Sequence, residues 1–186
     1  MKNYIALAAF VTSLAGAPLA SHAQDDDIMK KIVNSPPVQS LYVIGSQQSN
    51  KIIKDVTVQA GSALEVQVLS AGGNPWDVAV QSNIHSKITK GDVLIAVAWL
   101  KTVKTENGAP GQAILRLQLS TDPYTGLEQQ SFTVTNEWAQ YQLKTVAADN
   151  FPKDSTNLGA QLALQKQTID IGPIFVLDLG PDKPQS

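Results

Sequence analysis

The chain has 186 residues, a formal charge of −2, 43% hydrophobic and 6% aromatic residues, and no cysteine. That length suits one domain able to bury a core without staples. The missing cysteine excludes disulfides and thiolate metal sites, and the slight acidity argues against nucleic acid or an anionic membrane as a partner.

In chain order, residues 1–23 read as an export signal. Lys2 supplies the positive start, Tyr4 to Ala17 is apolar or small, and Ser21-His22-Ala23 fits a small-x-small cleavage rule with the cut before Gln24. Ser13, Gly16 and Pro18 interrupt a run already too short to span a bilayer. No later stretch is long and apolar enough to span one, so the mature chain is expected to be soluble and periplasmic or secreted. Residues 24–40 are expected to form a flexible N-terminal segment, with a short helix near Ile28 to Val33 or a loose arm as alternatives. Asp25-Asp26-Asp27 reads as a solvated tail rather than a calcium ligand set.

From Leu41 to residue 180 the pattern is β. Runs at Leu41–Ile44, Ile52–Val58 and Leu64–Val68 end at Gly45, Gly61 and Gly72-Gly73. Pro75 restricts Asn74 to extended backbone, so Trp76 to Val80 reads as a strand, with Trp76, Val78 and Val80 alternating against Asp77, Ala79 and Gln81. After the Lys90-Gly91-Asp92 turn, Val93 to Leu100 is apolar on both faces, as expected of a central strand. One face carries Val93, Ile95, Val97, Trp99 and Lys101; the other carries Leu94, Ala96, Ala98 and Leu100. Asn107-Gly108-Ala109-Pro110-Gly111 is a strong turn before Ala113–Leu119, whose polar phase holds Arg116 and Gln118. Phe132–Val134, Trp138–Leu143, Leu158–Leu164 and Thr168–Leu179 follow, the last interrupted by Gly172-Pro173, and residues 181–186 are expected to be a disordered tail. Nine or ten short strands without an amphipathic helix predict an all-β fold, a two-sheet antiparallel sandwich or barrel.

An ordered series of short motifs resembles a known family. Asn74-Pro75-Trp76-Asp77-Val78, Lys90-Gly91-Asp92-Val93-Leu94 with Trp99-Leu100-Lys101, Pro123-Tyr124-Thr125, Glu137-Trp138 and Gln167-Thr168-Ile169-Asp170-Ile171-Gly172 are similar to the carbohydrate-binding jelly-roll modules attached to bacterial family 10 xylanases, of the CenC-like, galactose-binding-domain-like class. The resemblance spans roughly Val56 to Leu179. It implies a jelly-roll β-sandwich that binds a plant-type or cell-surface polysaccharide, xylan-like, without being an enzyme. Where that family often has a basic and an aromatic residue on the long central strand, Val97 and Ala98 stand here. Ile171-Gly172-Pro173 lacks the paired acidic residues that related modules place near calcium, so no cofactor is expected and a structural calcium finds no support.

Sugar binding needs aromatic faces for pyranose rings and planar polar groups for hydroxyls. Trp76, Trp99 and Tyr124 are the candidate platforms, and Asp77, Lys101, Arg116, Gln118 and Gln161 the candidate polar contacts. Trp76 and Trp99 fit core packing equally well, whereas Trp138, with Tyr141 nearby, reads as a core anchor. If the strands of Trp99 and Arg116 pair, as short connections favour, Trp99, Arg116 and Gln118 share a face suited to a neutral polysaccharide. His85 reads as a surface residue; no Gly-x-Ser-x-Gly elbow and no zinc-type His pair is present, and no two carboxylates can be paired from sequence. The expected partner is a polysaccharide or oligosaccharide. A structural or protein-interaction sandwich serving a partner enzyme or an envelope complex is the alternative, and a glycoside-acting enzyme ranks last.

Overall fold

The computed structural model describes residues 27–181; the expected export signal and the tail beyond residue 181 lie outside them. Ten strands form: β1 (Tyr42–Ile44), β2 (Gln48–Lys54), β3 (Ser62–Val68), β4 (Ala79–Ile84), β5 (Asp92–Thr105), β6 (Gly111–Leu119), β7 (Gly126–Val134), β8 (Ala139–Val146), β9 (Thr156–Gln161) and β10 (Gln167–Pro181). They make two five-stranded sheets, β1-β4-β9-β6-β7 and β2-β3-β10-β5-β8, in which every pairing is antiparallel. The expected β-sandwich of jelly-roll type is what forms.

Period-two alternation sends one phase of each strand inward. Leu94, Ala96, Ala98 and Leu100 of β5 meet Leu115 and Leu117 of β6, Leu158 and Ala160 of β9, and Ile169, Ile171 and Ile174 of β10 in one core. Each fully buried Leu or Ile there contributes about 1.5–3 kcal/mol of transfer free energy. Tyr141 belongs to this core and meets Phe132 edge-on, with ring centroids 5.4 Å apart. The face split read for β5 holds: Val97 points away from the core and packs with Phe175 and Leu177 on the outer face of its sheet.

That outer patch explains the N-terminal segment. Residues 27–29 form a helical turn, and Ile28, Met29 and Ile32 cover Val97, Phe175 and Leu177. Asn34 then locks the segment down: its Nδ2 donates to Ser82 Oγ and to the Ile174 carbonyl, and its Oδ1 accepts from Val176 N–H. The segment is neither a helix over Ile28 to Val33 nor a loose arm: the helical turn ends at Met29, and Ile32 and Asn34 bridge to Leu177 and Ile84.

Two local expectations change. Pro75–Asp77 is a 3-10 turn and β4 starts only at Ala79. Asn74 is extended, as Pro75 requires, but Asp77 accepts its backbone N–H at 3.0 Å in a reciprocal capping box, so the turn prevails over the strand alternation. Also, β10 is not broken at Gly172-Pro173. It continues through with a register shift against β5 between Ile171 and Ile174, a bulge that accommodates the proline.

Candidate functional site

The outer face of the β1-β4-β9-β6-β7 sheet carries a groove of about 560 Å³. Its floor is built by alternation on three neighbouring strands. Gln81 of β4 pairs with Gly159 of β9, which pairs with Arg116 of β6, so a residue without a side chain sits between an amide and a guanidinium. Gln161 and Gln118 lie on the same face at either end of this row, and Ala79, Ile44 and Ser120 complete the lining. Gln161 and Asn157, the partner of Gln118, are four residues apart along β9, a separation of roughly 13 Å.

An aromatic ring stands at each end. Trp76 is presented by the capped 3-10 turn, which is tied to β9 by Leu162 N–H donating to the Val78 carbonyl and Ala163 N–H to the Pro75 carbonyl. Tyr124 is presented by the β6–β7 loop and takes a φ of 52°, a left-handed conformation that costs a non-glycine residue energy. The loop holds it there through Tyr124 N–H donating to Thr121, Leu119 N–H donating to Thr125, and Arg116 Nη2 donating to the Tyr124 carbonyl at 3.2 Å. Both rings are 51% exposed, high values for large aromatic side chains.

The polar groups differ in how far they are engaged. Tyr42 Oη donates to Gln81 Oε1 at 2.6 Å and lies 3.0 Å from Asn83 Oδ1; burial raises the phenol pKa. Gln118 and Gln161 are 8% and 5% exposed, yet neither amide side chain has a hydrogen-bond partner among the described residues. Arg116 Nη1 donates to Gln129 Oε1 at 3.1 Å, while its buried Nε has no acceptor. Buried polar groups are normally satisfied, and Arg116 Nε is not; with the Gln118 and Gln161 amides that line the same groove it is available to a ligand.

Five of the eight expected site residues therefore meet here: Trp76, Arg116, Gln118, Tyr124 and Gln161. Asp77 does not; its carboxylate is spent within its own turn. Trp99 and Lys101 do not either. The expected pairing of the Trp99 strand with the Arg116 strand does not form: β5 pairs with β8 and β10, β6 with β7 and β9, so these residues belong to opposite sheets. The long 105–111 connection carries the chain from one sheet to the other instead of closing a hairpin within one.

On that opposite sheet Trp99 and Lys101 join a polar network. Trp99 Nε1 donates to Gln59 Oε1 at 3.1 Å, and Lys101 Nζ sits 3.1 Å from Asp55 and 3.2 Å from Asp170, over the Trp138 ring at 4.8 Å. Trp138 is a partly buried cover on this outer face and not a core anchor; its Nε1 donates to Asp55 Oδ2 at 3.0 Å. Hydrogen bonds from Thr57, then from Trp138, hold the Asp55 carboxyl well below the usual range. Burial pushes the Asp170 carboxyl up, and Lys101 only partly counters it. Burial alone would lower the Lys101 ammonium, but its bonds to Asp55 and Asp170 leave it raised. Among the described residues no three His, Asp or Glu side chains converge as a metal site requires. Above Gly172 the space is taken up by Val58, Trp99 and Trp138.

Sequence reasoning missed Gln81, Ser120, Ile44 and Gly159 as lining. Gln81 and Gly159 sat on the polar phases of their strands and were legible in principle; Ile44 and Ser120 enter only through the strand order.

No family model matches the chain, and no curated protein does. Solved structures do. A CBM4 module superposes with a TM-score of 0.57 at 16% identity, over 75% of this chain and 95% of that one. The CBM22-1 xylan-binding domain of Paenibacillus barcinonensis Xyn10C gives 0.54 at 12%, over 82% and 94%. The N-terminal cellulose-binding domain of Cellulomonas fimi β-1,4-glucanase C gives 0.53 at 15%, over 81% and 93%. The fold is thus the jelly-roll sandwich of carbohydrate-binding modules, as the sequence resemblance implied.

Proposed function

We propose that this protein is an exported, non-catalytic carbohydrate-binding module that takes a polysaccharide, xylan-like in its extended backbone, into the groove between Trp76 and Tyr124. The observation that carries this reading is the groove itself: two half-exposed rings flank a glycine floor lined by the Gln118 and Gln161 amides, which bind no other described residue. Largely pre-formed concave sites with a few placed polar groups are the usual form of small-ligand recognition. The rings lie toward opposite ends of β9, Trp76 beside Leu162–Ala163 and Tyr124 beside the Gln118–Asn157 end, which suits a chain lying along the strands better than a single sugar. The neighbours whose names mention xylan and cellulose support the ligand class through shared fold. Hydrolysis of a glycosidic bond needs two carboxylates across the cleft, and none of the groove's lining residues is acidic.

Affinity electrophoresis of the mature protein through xylan, β-glucan and galactan tests the proposal. Retardation by at least one polymer, without release of reducing sugar, is expected; free migration through all of them would refute it. Export is tested separately: protein recovered outside the cytoplasm should begin at Gln24.

A further inference from the structure

Arg116 is the only arginine in the chain, and it lies in the groove. It takes part in none of the ion pairs of the described residues. Its two engaged nitrogens donate to neutral acceptors, the Gln129 amide and the Tyr124 carbonyl, and its Nε has none. The groove contains no carboxylate to balance it. Lys101, a partly buried cation on the opposite sheet, has two carboxylates within 3.2 Å. A half-buried guanidinium without a counter-charge is a standing cost to the fold, and a ligand that brings a negative charge relieves it. A planar guanidinium matches a carboxylate in shape and hydrogen-bond geometry better than any lysine would.

We infer that the polysaccharide taken by this groove carries uronic acid residues, and that a uronate carboxylate pairs with the Arg116 guanidinium while Trp76 and Tyr124 stack on the sugar rings. This rests on the carbohydrate-binding reading and replaces the neutral ligand expected from sequence with an acidic one. The floor at Gly159 keeps the approach to Arg116 open, since nothing but the Arg116 carbonyl, at 3.8 Å, lies near the position a β-carbon would occupy.

The test compares glucuronoxylan, polygalacturonate and alginate, each before and after chemical reduction of its carboxyl groups, with unbranched xylan and β-glucan alongside. Carboxyl reduction leaves linkages and any sulfate esters in place, so it isolates the uronate charge. At least one uronate polymer should bind, about tenfold more weakly once reduced, as loss of a charge-assisted hydrogen bond implies. Added salt should narrow that difference, and Arg116→Gln should bind both forms alike. Equal affinity for the native and reduced form of every polymer bound, or neutral xylan or β-glucan bound as tightly as any uronate polymer, would overturn this inference and leave the carbohydrate-binding reading intact. Failure to bind any of the polymers would overturn both. The native-versus-reduced comparison uses the unmodified protein, so it stands even if Arg116→Gln does not fold.

Discussion

Gly172 and Gly159 occupy equivalent places on the two sheets: each lies on the central strand, facing outward. Above Gly172 the space is filled. A β-carbon there would lie 2.7 Å from Val58 Cγ2 and 2.9 Å from Trp99 Cβ, under a lid completed by Trp138. Above Gly159 the space is open and forms the groove floor. Both faces pair tryptophan with a cation and polar side chains. On the Gly172 face most of these groups bind one another: Lys101 bridges Asp55 and Asp170 and both indole N–H groups are used, with Asp170 Oδ1 alone left unpartnered. On the Gly159 face the Gln118 and Gln161 amides make no hydrogen bond to another described residue, and the buried Arg116 Nε and Asn157 Oδ1 have no partner. Composition does not separate a binding face from a structural one here. What separates them is how far the polar groups already satisfy one another.

Mutations can break this contrast at several points. The largest effect is expected for Lys101→Ala. It strands Asp170, which is 2% exposed, without its cation, and should cost roughly 3 kcal/mol, a fall in Tm of about 6–12 °C, with polysaccharide affinity unchanged. Thermal unfolding and a binding titration on the same sample check both halves. Trp76→Ala should do the reverse. Loss of an anchoring aromatic weakens binding by about 2 kcal/mol, roughly thirtyfold, while Tm moves by less than about 2 °C because half of the side chain is already exposed. Should Trp76→Ala instead lower Tm and spare affinity, the roles of the two faces would be exchanged.

Gly172→Ala should destabilise by about 1–3 kcal/mol through forced displacement of Val58 and Trp99, whereas Gly159→Ala should leave Tm nearly unchanged. Equal Tm changes for the two would contradict the packing difference. The smallest effect concerns pH. Asp55 is held below its unfolded value of 3.8, so the unfolded chain takes up protons first on acidification, and the stability Asp55 contributes is lost as pH falls below about 4. Asp170, raised above 3.8, works in the opposite sense: its contribution is present below that value and is lost as pH rises through its folded value. Asp55→Asn should therefore start with a lower Tm at neutral pH and lose less of it between about pH 5 and pH 2. An unaltered slope of Tm against pH would show that Asp55 is not engaged as described.

The strands were legible because alternation and glycine punctuation are local. All ten runs read from sequence are strands or overlap one, and the two faces of β5 were separated residue by residue. Tyr124, Arg116, Gln118 and Gln161 were legible as candidates for the same reason, as an aromatic beside a turn or polar residues on the polar phase of a strand, whereas Trp76 was reached through a strand that does not extend to it. Sheet order was not legible. Placing Trp99 beside Arg116 assumed that sequential strands pair, and the jelly-roll connection sends β5 and β6 to different sheets. Asp77 failed on a smaller scale, because an Asp three residues after an Asn competes for the backbone of its own turn. The network around Lys101 joins residues from Asp55 to Asp170, a range no sequence window spans.

Gly159→Val gives the most direct test of the central claim that the open face is the binding face. A β-branched residue suits a strand, and the only heavy atom near the new β-carbon is the Arg116 carbonyl at 3.8 Å, so the fold should tolerate it. Its methyl groups would rise into the groove between Gln81 and Arg116. Affinity electrophoresis in the best-retarding polysaccharide should show the native protein held back and Gly159→Val, with a native Tm, migrating freely. Retardation of Gly159→Val equal to that of the native protein would place the binding surface elsewhere and contradict the account.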